Sequence, residues 1–257
     1  MIRIGPAGTG PEPLKGMQEV KNAGLDAVEL EFTYGVRMTN ETAKEIGELN
    51  KKLGLWLSIH APYYINLASE ERQKIGASRT RILQSCERGH HMGAKYIVFH
   101  PAFYGKRSPE ETYAMVSVAI TKMQDVIDEK GWKVQLAPET TGKRSQFGSV
   151  EELLRLKDEH GCHLTVDFAH LLARHGSIDY DQVLDQLKGL KHIHAHFAGI
   201  EFGEKGERKH LKTPKEEAKK LLSILHRRKV DITIINESPE TWEDAKMMKK
   251  IADKFTL

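Results

Sequence analysis

Imidazoles and carboxylates recur at the ends of short apolar runs in this sequence. His60 closes LWLSIH (55–60), His100 closes KYIVFH (95–100), and Glu139 closes KVQLAPE (133–139). CHLTVDF (162–168) carries Asp167, with His170 just beyond it, and LKHIHAHF (190–197) carries His194 and His196 near its end. ITIINE (232–237) ends on Glu237. Any one of these side chains has an ordinary explanation as a hydrogen-bonded surface or core group. The same placement in six successive runs points instead to convergence on a cation. Histidine with carboxylate and no thiolate suits zinc, manganese or iron. The two cysteines, Cys86 and Cys162, form no CxxC pair and are expected to be buried small hydrophobes.

In the seventh run His192, His194 and His196 fall on one side of a strand, because side chains alternate. Only the last reaches the strand's end, so His196 is the preferred ligand; His194, one layer deeper, is expected to partner it, and His192 to be core. The charged segment AGIEFGEKGERKHLKTP (198–214) follows. It reads equally well as a solvated, mobile loop or as a flap. In the second case Glu207 and His210 fold back to bind a further metal while Lys205, Arg208 and Lys209 meet an anion.

The number of ions sets the electrostatic sign of such a site. One divalent ion held by Glu139, Asp167, His196 and Glu237 leaves a net negative centre, suited to a neutral sugar whose hydroxyls are chelated and whose C–H is deprotonated by the glutamates. Three ions held by His60, His100, Glu139, Asp167, His170, His196, Glu207, His210 and Glu237 leave surplus positive charge. Such a centre attracts a phosphodiester and ionises water at neutral pH. The histidines beyond a four-ligand set favour several ions and a phosphate substrate.

Eight apolar runs must position these groups, beginning with IRIG (2–5) and AVELE (27–31). They alternate with amphipathic helical patterns, which implies a parallel sheet buried on both faces. Eight such units in 257 residues fit an α/β fold, a (β/α)8 TIM barrel with its site at the C-terminal ends of the strands. A doubly wound dinucleotide fold is disfavoured, because Pro11 and Pro13 in GPAGTGPEP crowd the place where its first helix would open. No linker or shift of composition interrupts 1–257, which is read as one domain. A net charge of +3 does not by itself announce nucleic acid, and no run approaches the roughly 20 apolar residues of a membrane span. The start lacks a secretory signal, so a cytoplasmic protein is expected, with no membrane association and acting as a monomer.

Taken together, SIHAPYYINL at His60, FHPAF at His100, APETTG at Glu139, TVDFAH at Asp167 and His170, HFAGIEFGEKGERKH, and INESP at Glu237 make the chain resemble a known family. It is similar, from about residue 27 to 240, to the endonuclease IV family of apurinic/apyrimidinic (AP) endonucleases, xylose isomerase-like TIM barrels with a trinuclear zinc site. The resemblance implies cleavage of double-stranded DNA on the 5′ side of an abasic site, leaving a 3′-hydroxyl, with two or three Zn2+ ions (Mn2+ as the alternative). It implies His60, His100 and Glu139 around one zinc. Glu139 would bridge to a second, held also by Asp167, His196 and Glu237, with Glu139 and Glu237 catalytic. His170, Glu207 and His210 would hold the third, although the family's Asp-Arg-His is here Glu207-Arg208-Lys209-His210. Arg37 in TYGVRM, Tyr63, Tyr64, Arg208 and Lys209 would contact DNA. Physically, planar rings can stack into the gap left by a missing base, and an unpaired abasic nucleotide is cheap to extrude. A single-metal sugar isomerase or epimerase of the same superfamily is the alternative.

Overall fold

The structure is a computed structural model and describes residues 1–255. The chain runs β1 (Ile2–Pro6), α1 (Pro13–Asn22), β2 (Ala27–Glu31), α2 (Asn40–Leu53), β3 (Trp56–His60), α3 (Arg72–Met92) and β4 (Tyr96–Phe99). It continues through β5 (Ala102–Phe103), α4 (Pro109–Lys130), β6 (Gln135–Pro138), β7 (Gln146–Phe147), α5 (Val150–His160), β8 (Thr165–Asp167), α6 (Phe168–His175) and α7 (Tyr180–Gln186). The last elements are β9 (Ile193–Phe197), β10 (Gly199–Gly203), β11 (Gly206–Leu211), α8 (Lys215–Arg227), β12 (Ile232–Asn236) and α9 (Thr241–Asp253).

Eight of the strands are parallel, in two arcs ordered β1-β12-β9-β8 and β2-β3-β4-β6. Parallel bridges from Ala7 to Glu29 and from Glu139 to Thr165 join the arcs at both seams, closing a (β/α)8 barrel. Each of the eight apolar runs supplies one barrel strand. At the first seam β1 lies so close to β2 that a Cβ on Gly5 would stand 1.9 Å from the Ala27 carbonyl oxygen. Only glycine permits that approach.

Alternation along the strands sorts two interiors. One set, including Val28, Leu30, Leu57, Ile59, Ile97, Leu136, Val166, Ile193, Ile232 and Ile234, packs with the helices in the main hydrophobic core. The opposite set faces the barrel axis, where apolar filling is a small cluster of Tyr96, Val98 and Ala137 with Trp56 against them, together with Ala27 and Ile235. Buried polar residues occupy the remaining inward positions, among them Glu29, Ser58, Thr165, His194 and Thr233. The barrel axis is therefore polar where a structural barrel would stack branched aliphatics.

Three features depart from the strand–helix pattern of the sequence. The segment after β8 divides into the two short helices α6 and α7. The segment after β9 is an antiparallel hairpin, β10–β11, and a smaller antiparallel pair, β5–β7, braces the loops after β4 and β6. Helix starts are set by local chemistry: α4 and α5 open with capping boxes, Ser108 with Glu111 and Ser149 with Glu152. Glu152 also accepts from Gly148 N at 2.9 Å, tying the end of the β6–α5 loop to the helix. Ser149→Ala should therefore lower the stability of the ion-free protein by about 1 kcal/mol in urea unfolding, with an unchanged denaturant slope. An unchanged midpoint would contradict this role for the cap.

Candidate metal centre

Glu139 sits at the end of β6 with no exposure to solvent. Four imidazoles converge on it, three from the ends of β3, β4 and β9 and His170 from the first turn of α6. His60 Nε2 and His100 Nε2 lie 3.2 and 3.1 Å from Oε2, and His170 Nδ1 and His196 Nδ1 lie 3.2 and 3.1 Å from Oε1. His196 Nδ1 is also 3.2 Å from Glu237 Oε1, beyond the end of β12. Ligand atoms on a tetrahedral ion with bonds of 2.0–2.1 Å stand about 3.3 Å apart, so the His60, His100 and His196 separations suit a shared cation, while His170 meets Glu139 through the nitrogen that also donates to Thr140 O. The donor atoms fall into overlapping groups within 4.8 Å: His60, His100 and Glu139; Glu139, Asp167, His196 and Glu237; Asp167, His170 and His210.

Local structure aims these atoms. Asp167 ends β8 and caps α6, its Oδ1 accepting from His170 N at 2.7 Å. Its Oδ2 is buried without a hydrogen-bond partner. The same turn places His170 over the cluster. Each of three imidazoles donates one ring nitrogen's proton to a backbone carbonyl: His60 Nδ1 to Ala61 O (2.8 Å), His170 Nδ1 to Thr140 O (2.9 Å) and His210 Nδ1 to Glu237 O (3.1 Å). That leaves each Nε2 with a lone pair toward the cluster, the arrangement metal-bound histidines require. His210 Nε2, like Asp167 Oδ2, has no other hydrogen-bond partner. The residues fit divalent ions.

The hairpin resolves the extra residue in Glu207-Arg208-Lys209-His210. Residues three apart on a regular strand face opposite ways, but the pairing runs Ile200–His210, Glu201–Lys209, Phe202–Glu207, leaving Arg208 as a β-bulge. The bulge returns Glu207 and His210 to one face. Glu207 Oε2 lies 3.4 Å from His170 Nε2, and His210 Nε2 lies 4.0 Å from Asp167 Oδ2. Close backbone contact seats the flap: Glu207 N donates to Gly142 O, and a Cβ on Gly142 would come within 2.7 Å of the Glu207 Cβ. All nine expected ligating residues are thus brought together.

The cluster floors a cavity of about 520 Å³ lined also by Glu31, Tyr63, Lys143 and Gln146. Tyr63 is half exposed and leans on His60, with ring centroids 5.9 Å apart. Tyr64 is exposed beside it, and Arg37 with the exposed Tyr34 lines an adjoining hollow of about 350 Å³ that also touches Glu31. Arg208 and Lys209 are exposed and paired with Glu201, at 3.4 and 3.3 Å, so Lys143 is the cation that lines the cavity itself. A cleft of about 630 Å³ at the opposite mouth, lined by Arg3, Asp26, Trp56 and Lys95, holds none of the nine.

Sequence reasoning missed Glu29 and Glu31. Both point inward from β2, and the signal was present: two acids at alternate positions of the otherwise apolar AVELE. Burial lifts the Glu31 carboxyl to about 8, with the Glu29 and Glu237 charges adding to it, so it holds its proton at neutral pH. Burial alone would depress the His60 imidazole, yet Glu139, Glu31 and Glu237 lift it to about 10. His170 and His196 are likewise raised well above the ordinary imidazole range by surrounding carboxylates, against their burial. The field of the centre demands positive charge.

Such a barrel, with imidazoles and carboxylates gathered at the C-terminal mouth, defines a class of metal-binding TIM-barrel enzymes. A sequence profile of the xylose isomerase-like TIM barrel family matches residues 17–255, and the chain belongs to that family. Among related sequences, the uncharacterized protein MJ0133 of Methanocaldococcus jannaschii is 34% identical, covering 97% of this chain and 96% of its own length. A probable endonuclease 4 of Mycoplasmopsis pulmonis is 30% identical over 58% of this chain and 57% of its own. The chain thus spans little more than half of that endonuclease. Among solved structures, endonuclease IV from Thermus thermophilus superposes with a TM-score of 0.73 at 20% identity, covering 99% of this chain and 98% of the other. A D-tagatose 3-epimerase-like protein gives 0.75 at 18%, covering 99% and 97%. These two superpositions establish the shared barrel.

A zinc ion added to this centre would have to displace protons that the His60, His170 and His196 imidazoles hold at neutral pH. Because the His60, His170 and His196 pKa values are raised, apparent zinc affinity should strengthen as pH rises from acid through neutrality toward about 10. Calorimetric titration in buffers of different ionisation enthalpy should show net proton release; a buffer-independent heat would contradict it.

Proposed function

We propose that this protein is a metal-dependent hydrolase that cuts the phosphodiester 5′ to an abasic site in double-stranded DNA, leaving a 3′-hydroxyl. The observation that carries the reading is the sharing of Glu139. One carboxylate belongs both to the His60–His100 group and to the group of Asp167, His196 and Glu237, with His170, Glu207 and His210 adjoining. A centre built for one ion has no use for the second and third groups. When bound, such ions supply an activated water at neutral pH and offset charge on the phosphate oxygens.

The chain's own residues divide the remaining work. Glu139 fixes the spacing of the groups it joins, and Glu237 closes the second group from β12. The Glu207–His210 flap completes the third and walls the cavity. Lys143 offers an ammonium on the phosphate's path. Tyr63, beside His60 with its ring half in solvent, is placed to stack in the opened duplex, flanked by Tyr64, with Arg37 at the adjoining hollow. Arg208 and Lys209 present charge along the outer hairpin to the strand beyond. The unit doing this is residues 1–257 acting as one domain and as a monomer, with Zn2+ the resident ion and Mn2+ its substitute.

The sugar-epimerase reading uses only Glu139, Asp167, His196 and Glu237, and predicts one ion per chain. Incubation of zinc-loaded protein with a duplex carrying a tetrahydrofuran abasic analogue tests the proposal. A nick on the 5′ side is expected in the abasic duplex and none in its intact counterpart. Uncut strands across Zn2+, Mn2+ and a range of salt would overturn it. Glu139→Gln should abolish the nick by uncoupling two ion groups. Tyr63→Ala should weaken binding to abasic duplex by about 1–3 kcal/mol, as for loss of a stacked ring, and equal affinity of variant and parent would remove the wedge role.

A further inference from the structure

Beneath the centre, on the barrel axis, a second polar cluster joins three strands. Glu29 on β2 has no exposure, nor do Ser58 on β3 and His194 and His196 on β9. Glu29 Oε2 accepts from Ser58 Oγ at 2.5 Å and from His194 Nε2 at 2.9 Å. Its Oε1 lies 2.9 Å from His196 Nε2, an ionic contact outside hydrogen-bond alignment, and neither of these two atoms has a hydrogen-bond partner among the described residues. The Ser58 and His194 separations suit protons between the atoms, and the ligand atoms of Glu29, His194 and His196 also lie within 4.8 Å of one another, so an ion held by this trio is the competing outcome.

His60, His170 and His210 are each set by a backbone carbonyl. His196 stands deeper, and Glu29 takes the carbonyl's place. A carboxylate accepts and cannot donate, so the proton of each facing imidazole resides on Nε2. For His196 that leaves Nδ1 with its lone pair toward Glu139 and Glu237. For His194 it spends the only nitrogen near the centre on Glu29, while Nδ1 has no partner.

We propose that Glu29 is a positioning residue for His196: it fixes the ring's proton on Nε2, turns Nδ1 to the ion shared by Glu139, Asp167 and Glu237, and strengthens that nitrogen as a donor. His194 braces Glu29 and binds no ion. Carboxylate partners of this kind raise the basicity of a ligating imidazole more than a carbonyl does. The assignment rests on the ion-binding reading of the centre, but not on DNA as its substrate.

Zinc stoichiometry and affinity, measured by chelator competition, test it in the full-length protein. Glu29→Gln should keep the parent's ion count at saturating zinc while binding one ion roughly 10–100-fold more weakly. His194→Gln, which retains an N–H for Glu29, should leave every affinity unchanged, whereas His196→Gln should lose an ion. Without any substitution, nitrogen-15 spectra of the zinc-loaded parent should show His196 protonated at Nε2, a tautomer that a merely space-filling Glu29 would not dictate. Parent-like affinities in Glu29→Gln, loss of an ion in His194→Gln, or a proton on His196 Nδ1 would each overturn the assignment. A parent that binds its ions yet leaves abasic DNA whole would end the nuclease reading and leave this one standing.

Discussion

Everything at the mouth of this barrel depends on the complete burial of one carboxylate. Removing an ionised carboxylate from water costs several kcal/mol unless partners compensate, and Glu139 is compensated by imidazoles from β3, β4, α6 and β9 at 3.1–3.2 Å. His100 and His196 head the charges that hold the Glu139 carboxyl well below its usual range despite burial. The His60, His170 and His196 imidazoles are in turn pushed upward, so the ion-free centre stores protons where cations fit. Barrel closure, helix capping by Asp167 and the seating of the hairpin all serve to hold that one carboxylate and its partners in register.

A second consequence runs down the axis. A polar centre cannot be set directly on an aliphatic plug without orphaning its deeper nitrogen atoms. Glu29, Ser58 and His194 form an intermediate layer, below which His192 stacks near Trp56, with centroids 4.3 Å apart, and Tyr96 stacks on His163 at 4.1 Å. The apolar cost falls on the outer layer, where the strand faces opposite these residues pack against the helices. The division of labour between the two faces of each strand lets a hydrophilic barrel remain a packed one.

The eightfold alternation of strand and helix was legible because parallel strands buried on both faces leave near-continuous apolar runs, and seven of the nine clustered side chains were legible because they stand at or just beyond the ends of those runs. Glu207 and His210, in the charged segment after the seventh run, read equally well as solvated loop. The preference for His196 over His194 comes from depth along β9: alternation puts both on one side, and position in the run separates them. Glu29 and Glu31 were not legible as site residues because AVELE, with acids at alternate positions and Glu31 at its end, also fits a strand whose polar side faces solvent. The hairpin was not legible: its formation depends on the bulge at Arg208 and on glycine-mediated contact with Gly142, tertiary facts without a local periodic signal. Likewise the pairing of Arg208 and Lys209 with Glu201 follows from cross-strand register, invisible in a list of charges.

The central claim is that more than one cation shares Glu139. Anomalous scattering at the zinc absorption edge from crystals of zinc-loaded protein tests it most directly. At least two peaks about 3.5–4 Å apart, flanking the Glu139 carboxylate, are expected. A single fully occupied peak with His170, Glu207 and His210 left without a metal would contradict the account.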